Sequence, residues 1–229
     1  MSPHPGACAG IDRWRGGWIV AEVRDGELSL WASADIAVAR DRLASVRAVA
    51  IDMPIALAPH GTRQAEAEVR AVLGSSARSV FTSPTRRAVA AASQKEATEL
   101  NRAHGGPGIS AQAFGLFASI RELRQELAGP TCHHWWETHR ETAFAELNGG
   151  PPLVSKRSAR GVAQRLQLLQ DYVPDLPDRL LDAPLKVPVD DVLDAVAAAW
   201  SATRIAANTA RIFGPSDRDD QGFPSGIRI

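Results

Sequence analysis

The chain is poor in cysteine and lysine, has no excess of either charge and lacks any long apolar run. Its two cysteines, Cys8 and Cys132, form no CxxC-type pair, so a cysteine metal site is excluded, and both read as buried thiols. Lys and Arg together number 26, matching 26 Asp and Glu; a uniformly basic nucleic-acid coat protein is excluded, although local basic patches are not. No apolar run approaches the roughly 18 residues that a membrane span needs. The first residues, Met1-Ser2-Pro3-His4-Pro5-Gly6, lack the charged start and apolar core of a secretory signal, so a cytoplasmic location is expected. GxxxxGK[ST], HExxH and GxSxG are all missing, and Gly105-Gly106-Pro107-Gly108 follows no strand pattern. The common nucleotide, zinc-peptidase and hydrolase motifs are therefore not available.

What is present is an ordinary globular balance: 229 residues, 45% hydrophobic and 23% charged. Such a length fits one large domain, or one domain with a sizeable insertion. Ala7–Ile11 is a short apolar run ending at Asp12. Trp18–Val23 follows a Gly16-Gly17 turn, and Asp25-Gly26 is a hairpin signal before Leu28–Trp31. Three antiparallel strands are expected there. A helix over 34–47 and the run Ala48–Ile51, ending at Asp52 before Met53-Pro54, suggest a crossover to a parallel strand.

Residues 60–128 are mostly helical in pattern (63–73, 93–104 and 110–127), too long for a plain connection, and read as a helical insertion within a domain spanning 1–229. A further strand is expected over 132–137, ending at Glu137. Helices are expected over 141–147, 160–172 and 189–207, with a Pro-rich loop over 174–188 and a short terminal strand at 227–229.

Asp12, Asp52 and Glu137 thus each follow an apolar strand-like run. In open α/β sheets, ligands bind beyond the carboxyl ends of strands. Asp191 and Asp194 are spaced i, i+3 and share one helix face. Carboxylates gathered in a small volume repel one another, which raises their pKa values or calls for a hard cation such as Mg²⁺ or Mn²⁺. Two such ions about 4 Å apart activate water and stabilise a leaving oxygen in phosphoryl transfer. The competing reading is that an Asp after a strand caps a turn or the next helix.

Several segments taken in order carry a resemblance. They include Gly10-Ile11-Asp12 with Gly16-Gly17-Trp18, Ala50-Ile51-Asp52-Met53-Pro54-Ile55, Arg63, Arg70 with Leu73-Gly74, and Ser79-Val80-Phe81-Thr82-Ser83-Pro84. Ile109–Phe114, Ile120-Arg121-Glu122, Glu137-Thr138-His139, Ser155-Lys156, Gly161 with Arg165, and Asp190–Ala195 continue the set. Through nearly its whole length the chain resembles the family called domain of unknown function 429, predicted nucleases assigned to the ribonuclease H-like fold. The resemblance implies an α/β protein with a mixed five-stranded sheet, three antiparallel strands and then parallel ones, flanked by helices. By analogy with nucleases of that fold, Asp12, Asp52, Asp191 and Asp194 would hold Mg²⁺ or Mn²⁺. Glu137 would be a further ligand or a neighbour of the ligands. The family usually carries Glu-x-His-Pro-Glu; here Arg140 stands in the Pro position, which places a basic residue beside the acids.

Phosphate substrates need cations. The stretch 153–170 contains Lys156, Arg157, Arg160 and Arg165 without an acid, and 60–90 adds Arg63 and Arg86 among others. Lys156, Arg63 and Arg86 are the phosphate-binding candidates, Lys156 first because the family keeps a Lys there; pairing with nearby acids is the bland alternative. His139 can orient Glu137, act as a general acid or base, or serve a structural role. The expected activity is metal-dependent hydrolysis of phosphodiester bonds in a nucleic acid. The alternatives are a small-molecule phosphotransferase of related core and a non-catalytic nucleic-acid-binding module.

Overall fold

Apolar alternation and glycine turns over residues 8–33 fold as expected into a meander: β1 (Cys8–Trp14), β2 (Gly17–Arg24) and β3 (Glu27–Ser33). The computed structural model describes residues 6–129, 133–150 and 154–229. Asp25 (φ 53°) and Gly26 (φ 86°) both take the left-handed conformation that a two-residue hairpin with right-handed strand twist requires. β1 is antiparallel to β2, with Ile11 opposite Val20, and β2 is antiparallel to β3. Helix α1 (Ile36–Arg42), capped by Asp35, carries the chain over to β4 (Ala48–Ile51). β4 runs parallel to β1, Ile11 aligning with Ile51.

Helices α2 (Gln64–Leu73), α3 (Gln94–Ala103), α4 (Ala111–Gly115) and α5 (Phe117–Glu126) follow. The single helix expected over 110–127 is therefore two, divided after Gly115, where a residue without Cβ weakens helical continuity. Strand β5 (Trp135–Glu137) pairs parallel to β4 and aligns Glu137 with Ile51. Next come α6 (Arg140–Leu147), α7 (Ala159–Gln170) and α8 (Leu176–Arg179), the last a short helix in the stretch expected to be loop. The chain ends with the long α9 (Val189–Ala206) and two-residue strands β6 (Ile212–Phe213) and β7 (Ile227–Arg228).

The fold is mixed α/β, with helices flanking a mixed sheet of seven strands rather than five, ordered β3-β2-β1-β4-β5-β7-β6. The difference is β6 and β7, which are too short for hydrophobic periodicity to reveal both. Two compact units are present among the described residues: one from 6–53, 133–150, 154–211 and 228–229, the other from 54–129 and 212–227. The second unit holds the segment expected as a helical insertion, together with a C-terminal stretch. Cys8 is buried, and Cys132 lies outside the described residues. Among the described residues, no helix is long and apolar enough to cross a membrane.

Within the first unit, α9 governs the position of the acids. It is buried along most of its length, and its alanines allow close approach to the sheet. Gly10 on β1 meets it directly: a Cβ there would lie 2.0 Å from Ala199 N and 2.2 Å from Ala195 O. Only hydrogen fits between strand and helix at this point.

Candidate metal centre

Side chains two residues apart on a strand share a face, so Asp12 projects from the same side of β1 as Gly10, toward α9. Asp194 immediately precedes Ala195 on that helix, and Asp191 lies one turn earlier. Oxygens of Asp12, Asp191 and Asp194 all come within 4.8 Å of one another. Asp12 is 3% exposed and Asp194 fully buried. Asp191 lies in the first turn of α9, where the helix dipole favours negative charge.

Two cations enter this group. Lys156, in the loop before α7, bonds Asp194 Oδ2 and lies 3.3 Å from Asp190 and 3.7 Å from Asp191. Arg140, the first residue of α6, bonds Asp52 and lies 3.2 Å from Asp194 Oδ2 and 3.8 Å from Asp12. Asp194 Oδ2 thus receives both cations, whereas Oδ1 is buried with no hydrogen-bond partner among the described residues. A buried carboxylate oxygen left in this state costs free energy unless something else occupies it.

The titration behaviour follows from this packing. Burial pushes Asp12 well above the ordinary carboxylate range; Arg140 opposes the shift, and Asp194 and Asp52 add to it. Asp194 rises to about 6 by burial, with Arg140 and Lys156 holding it down. Asp191 rises by burial as well, opposed mainly by Lys156. Arg140 is raised well above its usual value by the charge of Asp52, against the cost of burial. For Lys156, burial acts downward, and the attraction and hydrogen bond of Asp194 together with the charge of Asp12 leave it above its usual value.

The other expected residues lie as follows. Asp52 follows β4 in the row next to Asp12, its N–H donating to Ile11 O (3.1 Å), and joins the three acids through Arg140. Glu137 aligns with Ile51 and hence with Ile11, a row whose side chains point to the sheet face opposite Asp12. The residue that continues the row of Asp12 and Asp52 is Thr138, whose N–H donates to Ile51 O. Its buried hydroxyl has no hydrogen-bond partner among the described residues, a feature that the sequence pattern does not reveal. Asp190, four residues before Asp194, shares its helix face as well.

His139 caps α6: its Nδ1 accepts from Thr142 N (3.3 Å) and lies 2.8 Å from Thr142 Oγ1. Glu141 makes a two-pronged pair with the buried Arg165 at 3.0 and 3.1 Å. Arg165 also donates to Val154 O and Gly161 O, tying α6 to the loop that carries Lys156. Glu141→Ala is expected to lower unfolding free energy by about 3 kcal/mol, because Arg165 would be left buried without its counter-charge. Urea denaturation checks this; a loss below about 1 kcal/mol would contradict it.

Arg63 and Arg86 belong to the second unit and are engaged there. Arg63 donates to Ser225 O (3.1 Å) and lies 3.8 Å from Glu66; Arg86 forms a fork with Asp220 at 2.6 and 2.9 Å.

No curated protein and no solved structure matches the chain. A family model does, described as a protein of unknown function (DUF429), and it covers residues 10–218, from the glycine beneath α9 to the loop after β6. Because that match takes in all the acids of the cluster and most of the chain, the chain belongs to the DUF429 family.

Proposed function

We propose that the chain is a divalent-metal-dependent phosphodiesterase of ribonuclease H-like type acting on a nucleic acid. The observation that carries the reading is the convergence of Asp12, Asp191 and Asp194, with Asp194 Oδ1 buried and without a hydrogen-bond partner among the described residues. The strand order β3-β2-β1-β4-β5, an antiparallel meander continued by parallel strands, supports the fold assignment. An all-oxygen donor set suits hard cations such as Mg²⁺ or Mn²⁺. When bound, such an ion supplies Lewis-acid activation of water and neutralises charge developing at phosphorus.

The chain's own residues have separate tasks in this reading. Asp12, Asp191 and Asp194 hold the ion. Lys156, one-fifth exposed at the edge of the cluster, attracts a phosphate oxygen. Buried surroundings keep water from screening these charges.

The test adds Mn²⁺ to the purified protein with branched, single-stranded and RNA–DNA hybrid substrates. Cleavage that requires Mn²⁺ and disappears in Asp12→Asn is expected. Mn²⁺ affinity should fall as pH drops through about 6, because proton and ion compete for the Asp194 carboxylate. Absence of cleavage on all three substrates, together with absence of Mn²⁺ binding, would overturn the reading.

A further inference from the structure

Resting on that metal-binding reading, we propose that Arg140 is a resident cation in the place of a second metal ion, so that the centre takes a single divalent ion. Asp52 then serves as the anchor of Arg140 rather than as a metal ligand.

One guanidinium reaches three carboxylates: it bonds Asp52 and lies 3.2 Å from Asp194 and 3.8 Å from Asp12. A guanidinium is permanently charged at any pH the protein meets. It fills the space between Asp52 and the three clustered acids and repels a dication placed there. On Asp194 the open oxygen is Oδ1, since Oδ2 already receives both Arg140 and Lys156.

The placement of Arg140 is built from both sides. His139 before it caps α6 through Thr142, and Glu141 after it is clamped by the buried Arg165. With its neighbours pinned, the backbone at residue 140 aims one side chain at the acids. That side chain is one-third exposed, so a phosphodiester oxygen can approach its charge from solvent. A rigid fork of donors does at this position what a second ion does elsewhere, without exchanging with bulk metal.

Mn²⁺ titration of the full chain by calorimetry, with circular dichroism to confirm folding, tests the proposal. The wild-type chain is expected to bind one ion, Arg140→Gln to bind two, and Arg140→Lys, which keeps the charge, to bind one. Asp52→Asn in the wild-type background is expected to leave the single ion bound, with affinity changed less than about tenfold. This second measurement stands even if Arg140→Gln fails to fold. Two ions in the wild-type chain, one ion in a folded Arg140→Gln, or loss of the ion in a folded Asp52→Asn would overturn the proposal while leaving the metal reading intact. No binding by any of these proteins would overturn both.

Discussion

Replacing Asp194 with Asn is expected to weaken Mn²⁺ binding by at least about 100-fold and to abolish metal-dependent cleavage. Asn matches Asp in shape, so the helix should keep its seat, but the amide has no negative charge to share among Lys156, Arg140 and an ion. Asp194 is fully buried, and its Oδ1 has no hydrogen-bond partner among the described residues. A ligand this desolvated contributes more than one at the rim, where water can substitute. Asp190→Asn offers the contrast: its carboxylate is one-quarter exposed and pairs with Lys156, and the expected loss is under about tenfold. Isothermal titration of both variants checks the ordering. Equal losses would mean that burial does not determine the contribution of each acid.

The second large effect is on the frame. Gly10→Ala is expected to destabilise the chain by about 3 kcal/mol or more, toward the upper range for an overpacked core position. The added Cβ would meet backbone atoms of Ala199 and Ala195 at 2.0 and 2.2 Å, and a helix backbone cannot turn aside as a flexible side chain can. Relief requires α9 to lift from β1, and that movement separates Asp191 and Asp194 from Asp12. Any folded fraction should therefore bind Mn²⁺ more weakly. A denaturation midpoint unchanged from that of the wild-type chain would contradict the seating of α9 on Gly10.

Much of this arrangement was legible in the sequence because it depends on local rules. An apolar run ending in Asp marked Asp12 and Asp52, and the i, i+3 spacing put Asp191 and Asp194 on one face of α9. The hairpin at Asp25-Gly26 needs two left-handed residues and has them. Glu137 illustrates what local rules miss. A one-residue difference in register decides which face a side chain takes, and β5 aligns Glu137 with Ile51 rather than with Asp52. Thr138, next in the chain, continues the row of the acids instead.

Arg140 and Lys156 were singled out through the family resemblance, but their contacts with the acids were not. The end of a long flexible side chain depends on the tertiary surroundings, here the caps and pairs made by His139, Glu141 and Arg165. The C-terminal part of the second compact unit also eluded the linear reading. Residues 212–227 join 54–129 from a distant part of the chain, and two-residue strands carry too little periodicity to announce it.

Crystals grown with Mn²⁺ and measured for anomalous scattering would show whether Asp12, Asp191 and Asp194 form a divalent-ion site. An anomalous peak is expected within coordination distance of carboxylate oxygens from all three residues, with Arg140 still on Asp52. Mn²⁺ density confined to other acids, with these three residues bare under saturating metal, would contradict it.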